Sequence, residues 1–228
     1  MIHLLRAEVV KLVTLPSVWL TLVVTVGAAP VIARAQRSWL PGESTITVLR
    51  LVPPYVLVGG AVLGVLVACG EYVSRQIVAT LLAVPRRARF LVAKLVIVAL
   101  AAVASSGGAL ALGRMSLSLS TWSLAEMRMV AIASLVHAGA AVLSCASAVA
   151  IRHLVASTAT VCGLILVAPV VLSPWPKVAR WLVDAVGRDL YADTASLLLP
   201  PWQVAVALVA WVVGAVAIGA ARLLCCDA

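Results

Sequence analysis

Charge is scarce in this chain. Only 11% of its 228 residues are Asp, Glu, Lys or Arg, against about 25% in ordinary soluble domains. With 64% hydrophobic residues and a mean hydropathy of +1.17, a water-soluble globule is excluded. Lysine occurs only at Lys11, Lys94 and Lys177, preceded by Val10, Ala93 and Pro176. None follows a glycine, so the Gly-Lys-Ser/Thr phosphate cradle of nucleotide-hydrolysing machines is missing. His3, His137 and His153 stand far apart and form no H-E-x-x-H zinc motif. Cys69, Cys145, Cys162, Cys225 and Cys226 contain no C-x-x-C pair, so neither a zinc site nor a disulfide framework is indicated. Acids are too few in the apolar runs for a carboxylate-type proton antiporter. The residues offer no catalytic constellation, no metal site and no energy source.

What is present is a series of apolar runs, each about 20 residues long, which reads as an all-α polytopic membrane protein. Six spans are expected, at about 17–33, 51–69, 90–112, 129–150, 154–172 and 200–221, forming a single transmembrane domain over residues 1–228. No cleavable leader is expected, because the opening residues alternate charge with apolar positions. Residues 1–14 are amphipathic: Ile2, Leu5, Val9, Leu12 and Val13 recur at helical spacing with His3, Arg6, Glu8 and Lys11 between them. They predict an interfacial helix that ends before Pro16. Pro53 and Pro54 open the second span, where missing amide donors cost least. Gly60 and Gly64 give the small-residue spacing that lets helices approach closely in lipid.

Between the second and third spans lies the most charged stretch, GEYVSRQIVATLLAVPRRARFLVAK, from Gly70 to Lys94. Arg75, Arg86, Arg87, Arg89 and Lys94 stand there against one acid, Glu71. Glu71 and Arg75 are one turn apart and suited to pair, while Val73, Ile77, Thr80, Leu81 and Val84 share a face. Pro85 stops that helix. A half-apolar surface helix of this kind, over about 71–89, offers a face to something outside the bilayer. Residues 174–199 are expected to hold an outer amphipathic helix, with Val178, Trp181, Leu182 and Ala185 on one face and Arg180, Asp184 and Arg188 on the other. The connection from Gly113 to Arg128 reads as short and exposed. His137 is the one ionisable group expected well inside a span, and an intramembrane ionisable group is a functional hypothesis. With Ser105 and Ser106 it marks a candidate substrate path; helix packing accounts for the same residues.

The net charge of +9 sits in loops and suits membrane orientation better than nucleic acid. Basic residues divide almost evenly between the two sides, and the cationic cluster around Arg86 tips the expectation toward cytosolic termini.

Three stretches together resemble one family. The opening RAEVVKLVTLPSVWL is similar to the E-x-x-K-L-x-(S/T)-x-x-(S/T)-x-W-x-x-L start of many ABC type-2 permeases, the membrane subunits of bacterial drug, bacitracin and lantibiotic-resistance exporters. The central stretch looks like that family's E-(Y/F)-x-x-(G/R)-x-I-x-x-(T/L)-L-x-x-P-x-x-R segment, and the ending L-P-P-W…A-A-R-L-L like its last span. The resemblance covers the chain in order; Gln76 departs from it, standing where Thr is frequent. It implies a coupling helix resting on a separate ATP-hydrolysing subunit through Glu71, Tyr72, Ser74, Arg75, Ile77, Thr80, Leu81, Pro85 and Arg86. The interfacial helix with Arg6, Glu8 and Lys11 would lie beside that subunit. ATP and Mg would bind the partner and not this chain. A second permease copy or sister permease, and a bacterial inner membrane, are further implications. The rival readings are a non-transporting anchor or sensor subunit and an intramembrane enzyme using His137.

Overall fold

A computed structural model describes residues 2–74, 87–191 and 199–225. Every element among them is helical: α1 (Ile2–Thr14), α2 (Pro16–Trp39), α3 (Thr45–Leu49), α4 (Pro53–Val73), α5 (Arg87–Leu117), α6 (Leu124–Ile151), α7 (Leu154–Cys162), α8 (Ala168–Val171), α9 (Pro176–Ala179), α10 (Val183–Tyr191) and α11 (Pro201–Cys225). A π-helical segment, Gly163–Val167, joins α7 to α8. Six of these stretches are long and apolar enough to cross a membrane: Pro16–Trp39, Thr45–Val73, Arg87–Leu117, Leu124–Ile151, Leu154–Val171 and Trp202–Cys225. The chain is a multi-pass membrane protein.

α2 continues past Ala33 to Trp39, and α5 continues to Leu117, because backbone hydrogen bonds favour propagation even where side chains turn polar. The expected polar loop after the first span is therefore partly helical. It contains a turn at Pro41-Gly42, with Gly42 at φ 93°, where a side chain would be strained. Ser44 then caps α3 by accepting from the Thr47 amide at 3.3 Å. α4 opens on Pro53 and Pro54 as expected.

α6 is the hub, packing against α4, α5, α7 and α11. Small residues make this possible: Ala133, Ala140, Ala141, Ala146 and Ala148 are all fully or almost fully buried. Gly60 and Gly64 of α4 face α6, and a Cβ on Gly64 would collide with the Ala141 carbonyl. Gly219 of α11 meets the Ala146 carbonyl in the same way. Lipid provides no hydrophobic drive between helices, so close backbone approach supplies the cohesion.

The stretch after the fifth span departs from expectation. α9 and α10 are separated by a break at Arg180–Leu182, and α10 tucks against α6 and α11. Leu182, Val183 and Val186 are buried, whereas Val178 and Trp181 are exposed. Asp184 is buried as well, with Arg188 donating to its carboxylate across one helical turn. Gly187 permits the close approach, since a Cβ there would sit 2.7 Å from Val136 Cγ1. A single amphipathic face does not describe this segment, because the break rotates α10 and tertiary burial overrides its surface pattern. Residues 192–198 of the expected outer segment lie outside the described residues.

Candidate functional site

α1 turns its acid inward and its valines outward. Glu8 is 3% exposed while Val10 is 60% exposed, with Val9 and Val13 also open. That arrangement suits a helix whose outer face meets lipid and whose inner face meets charge. The facing charges come from two other elements. Glu71 lies in the last turn of α4, and Lys94 lies two turns into α5, both buried.

The four groups form one closed circuit. Lys94 Nζ donates to Glu8 Oε2 at 2.9 Å and lies 3.0 Å from Glu71 Oε1. Lys11 Nζ donates to Glu8 Oε1 at 3.0 Å and to Glu71 Oε1 at 2.6 Å. Phe90, also buried, lies beneath both lysines, its ring centre 5.0 Å from Lys94 Nζ and 5.8 Å from Lys11 Nζ. Two acids and two lysines cancel, which is how four charges tolerate a site this dry. Burial pushes the Glu8 carboxyl up, but Lys94 and then Lys11 outweigh it and hold it below the usual 4.5.

One acceptor stays open. Glu71 Oε2 is buried with no hydrogen-bond partner and borders a cavity of about 280 Å³ lined also by Leu12, Leu15, Val67, Gly70 and Ser74. The cavity has the size and polarity to hold water. Chemically the circuit binds and positions; it contains no nucleophile-and-base pair.

The expected coupling residues divide sharply. Glu71 points into the circuit, and its partners are Lys11 and Lys94. Tyr72 is half-buried against the core cluster, and Ser74 is exposed at the end of α4, its hydroxyl donating to the Gly70 carbonyl at 2.7 Å. Arg75, Ile77, Thr80, Leu81, Pro85 and Arg86 lie outside the described residues. On α1, Arg6 is exposed, and Glu8 and Lys11 belong to the circuit.

His137 is buried in α6, Nε2 3.0 Å from the Pro53 carbonyl and Nδ1 against the Ala133 carbonyl. A neutral ring donates to one of the two; either way it ties α6 to the start of α4. Ser105 and Ser106 donate back to the Ala102 carbonyl in their own helix, at 3.2 and 2.6 Å. The three residues line neither the cavity beside Glu71 nor the groove along α11 described below.

Two buried ion sites escape the sequence reading. Lys94 is counted there with the exposed cations of the central stretch, yet it sits inside the bundle. Arg114 and Glu126 are read as parts of an exposed connection, yet both are buried and joined by two bonds, Nε to Oε1 at 3.1 Å and Nη2 to Oε2 at 3.2 Å. Signals for both existed. Glu8 and Glu71 are two of only eight acids, and Lys94 is a lone lysine inside an apolar run. Ser123-Leu-Ala-Glu126 is a capping-box pattern, and the structure forms that box at the start of α6.

Comparison with protein-family models and with curated proteins finds no match to this chain.

Proposed function

We propose that this chain is the membrane-spanning permease subunit of an ATP-driven ABC exporter in a bacterial inner membrane, with both termini cytosolic. A separate subunit would bind ATP and Mg and hydrolyse the nucleotide. A second permease, identical or sister, would complete the pathway for a hydrophobic or amphipathic substrate. The resemblance of the three stretches supplies this reading, and one observation supports it. The charge circuit joins α1 to Glu71 and Lys94, the residues that bracket the central polar stretch. A push on that stretch is thereby shared among α1, α4 and α5, since separating any one of them strands a buried charge at a cost of about 3–5 kcal/mol. A coupling element needs such rigid attachment, and an inert anchor does not.

The test is co-purification in mild detergent with the products of neighbouring genes, followed by an ATPase assay. A stoichiometric Walker-containing partner, weakened by Arg75→Glu or Leu81→Ala while membrane insertion stays intact, is the expected result. A chain that purifies alone and supports no hydrolysis would sink the mechanism and leave the six-span fold standing.

A further inference from the structure

A groove of about 590 Å³ runs along α11 between the fifth and sixth spans. Its floor is Leu143 and Ser147 of α6, one wall is Leu164 from the π-helical segment, and the other is α11 from Val206 to Ile218. That wall extends about 18 Å at the helical rise. One leaflet's hydrocarbon is about 15 Å deep, half of a ~30 Å core. The volume falls within the usual range for small-molecule sites, about 300–1,000 Å³. Small residues hollow it: Ala207, Ala210, Gly214 and Ala215 face it, and a Cβ on Gly214 would meet no atom within 4 Å.

A cation flanks the groove where Trp181 forms its lining. Trp181 lines it there, fixed by its carbonyl accepting from Trp211 Nε1 at 2.8 Å. The Arg180 guanidinium stacks on the Trp181 ring, 5.6 Å from its centre. No carboxylate lies within ion-pair distance of Arg180 among the described residues, and its Nε is buried without a hydrogen-bond partner. A guanidinium in that state wants a planar or tetrahedral oxyanion, phosphate above all. Arg180 follows the fifth span, so this end of the groove lies opposite α1.

We propose that the groove binds one anionic phospholipid, its phosphate on Arg180 and one acyl chain lying along α11. The ligand is chosen by the coincidence of two chemistries at one place. An apolar slot one leaflet deep fits an acyl chain, and a half-buried guanidinium beside Trp181, with no counter-ion among the described residues, fits the acidic head. The bound molecule is a resident of the fold, and the assignment does not depend on the exporter reading: a chain that meets no ATPase would bind the lipid equally.

The experiment counts lipids retained by the purified full chain, by native mass spectrometry, after exposure to phosphatidylglycerol or phosphatidylcholine of identical acyl composition. Vesicles carrying brominated acyl chains give a second readout through quenching of Trp211. About one phosphatidylglycerol per chain is expected. Arg180→Gln should cut its retention roughly tenfold, the loss of one charge-assisted bond, and Arg180→Lys should restore part of it. Gly214→Leu, which fills the slot, should reduce both retention and quenching. Equal retention of the two lipids, or unchanged preference in Arg180→Gln, would overturn the proposal. So would displacement by inorganic phosphate with no acyl quenching, which identifies a free anion site. A Gly214→Leu variant that retains lipid but loses self-association would assign the groove to a second copy of the chain and overturn it too.

Discussion

Two ends of this bundle bury charge, and they do so differently. At one end Arg114 and Glu126 are twelve residues apart, on helices joined by one short connection. Arg114 also donates to the Ser120 hydroxyl and the Thr121 carbonyl, each at 3.2 Å, and stacks on Trp122. The pair stitches its own loop. At the other end Glu8 and Lys94 are separated by 86 residues, and Lys11 and Glu71 by 60. That circuit joins three elements, α1, α4 and α5, and brings α1 against two helices distant from it in sequence. The comparison teaches that a buried ion pair is read by what it connects: a local pair shapes a turn, while a long-range circuit makes separate helices move together.

Breaking the long-range circuit should have the largest effect. Lys94→Met leaves Glu8 and Glu71 facing each other in a dry site, at a cost of about 3–5 kcal/mol. A large drop in the detergent melting temperature is expected, with new protease cleavage near Leu15. Adding Glu8→Gln to Lys94→Met should recover part of the loss, because one stranded charge is removed. If the double variant is no better than the single, the four groups do not act as a circuit.

Arg114→Met strands Glu126 by the same physics, but the damage should stay local. Stability falls by about 3 kcal/mol, and cleavage appears in the 118–123 connection while α1 keeps its protection. Loss of protection at α1 in this variant would erase the distinction between the two ends.

Acid provides a graded version of the first experiment. The Glu8 carboxyl is held below 4.5 in the folded chain, so its contribution is present above the ordinary carboxylate range and disappears as pH falls through the lowered value. α1 should therefore stay protected at neutral pH and become cleavable by an acid protease only below that range. In Glu8→Gln the pH dependence should vanish.

The smallest effect, opposite in sign, belongs to Asp184. Burial pushes its carboxyl above the usual 3.8, although Arg188 pulls the other way. The protonated form is favoured by folding, so stability is lost as pH rises through the raised value. Asp184→Asn should leave the melting temperature at neutral pH unchanged or slightly higher. A clear loss would show that the Arg188 contact outweighs burial.

Much of the architecture was legible because lipid imposes it. Twenty apolar residues must form a helix in hydrocarbon, since no other local structure satisfies the backbone there. The prolines at the start of α4 and the Gly60–Gly64 seam are likewise local signals, and the structure carries both; the opening residues form a helix, Ile2–Thr14. Pairings were not legible. Among the described residues Glu71 meets Lys11 and Lys94, 60 and 23 residues away in sequence, which no local pattern announces; Arg75, its expected partner one turn on, lies outside them. Hydropathy averages also hid Lys94 and Arg114, because a single charge barely lowers the mean of a 20-residue window. The outer segment was misread for a related reason: Asp184 looks solvent-facing by pattern, and only the packing of α10 against α6 and α11 buries it.

The sequence by itself determined that this chain is an all-helical membrane protein of six spans, with a charged opening helix and one strongly cationic interruption. Composition and run length suffice for that, because the bilayer penalises every alternative by several kcal/mol per unsatisfied backbone group. Only the tertiary structure decided which charges meet, that an ion circuit ties α1 to α4 and α5, and that a guanidinium lies beside an acyl-sized groove. Electrostatic pairing in a low dielectric acts over a few ångströms, and those distances exist only once the helices are packed.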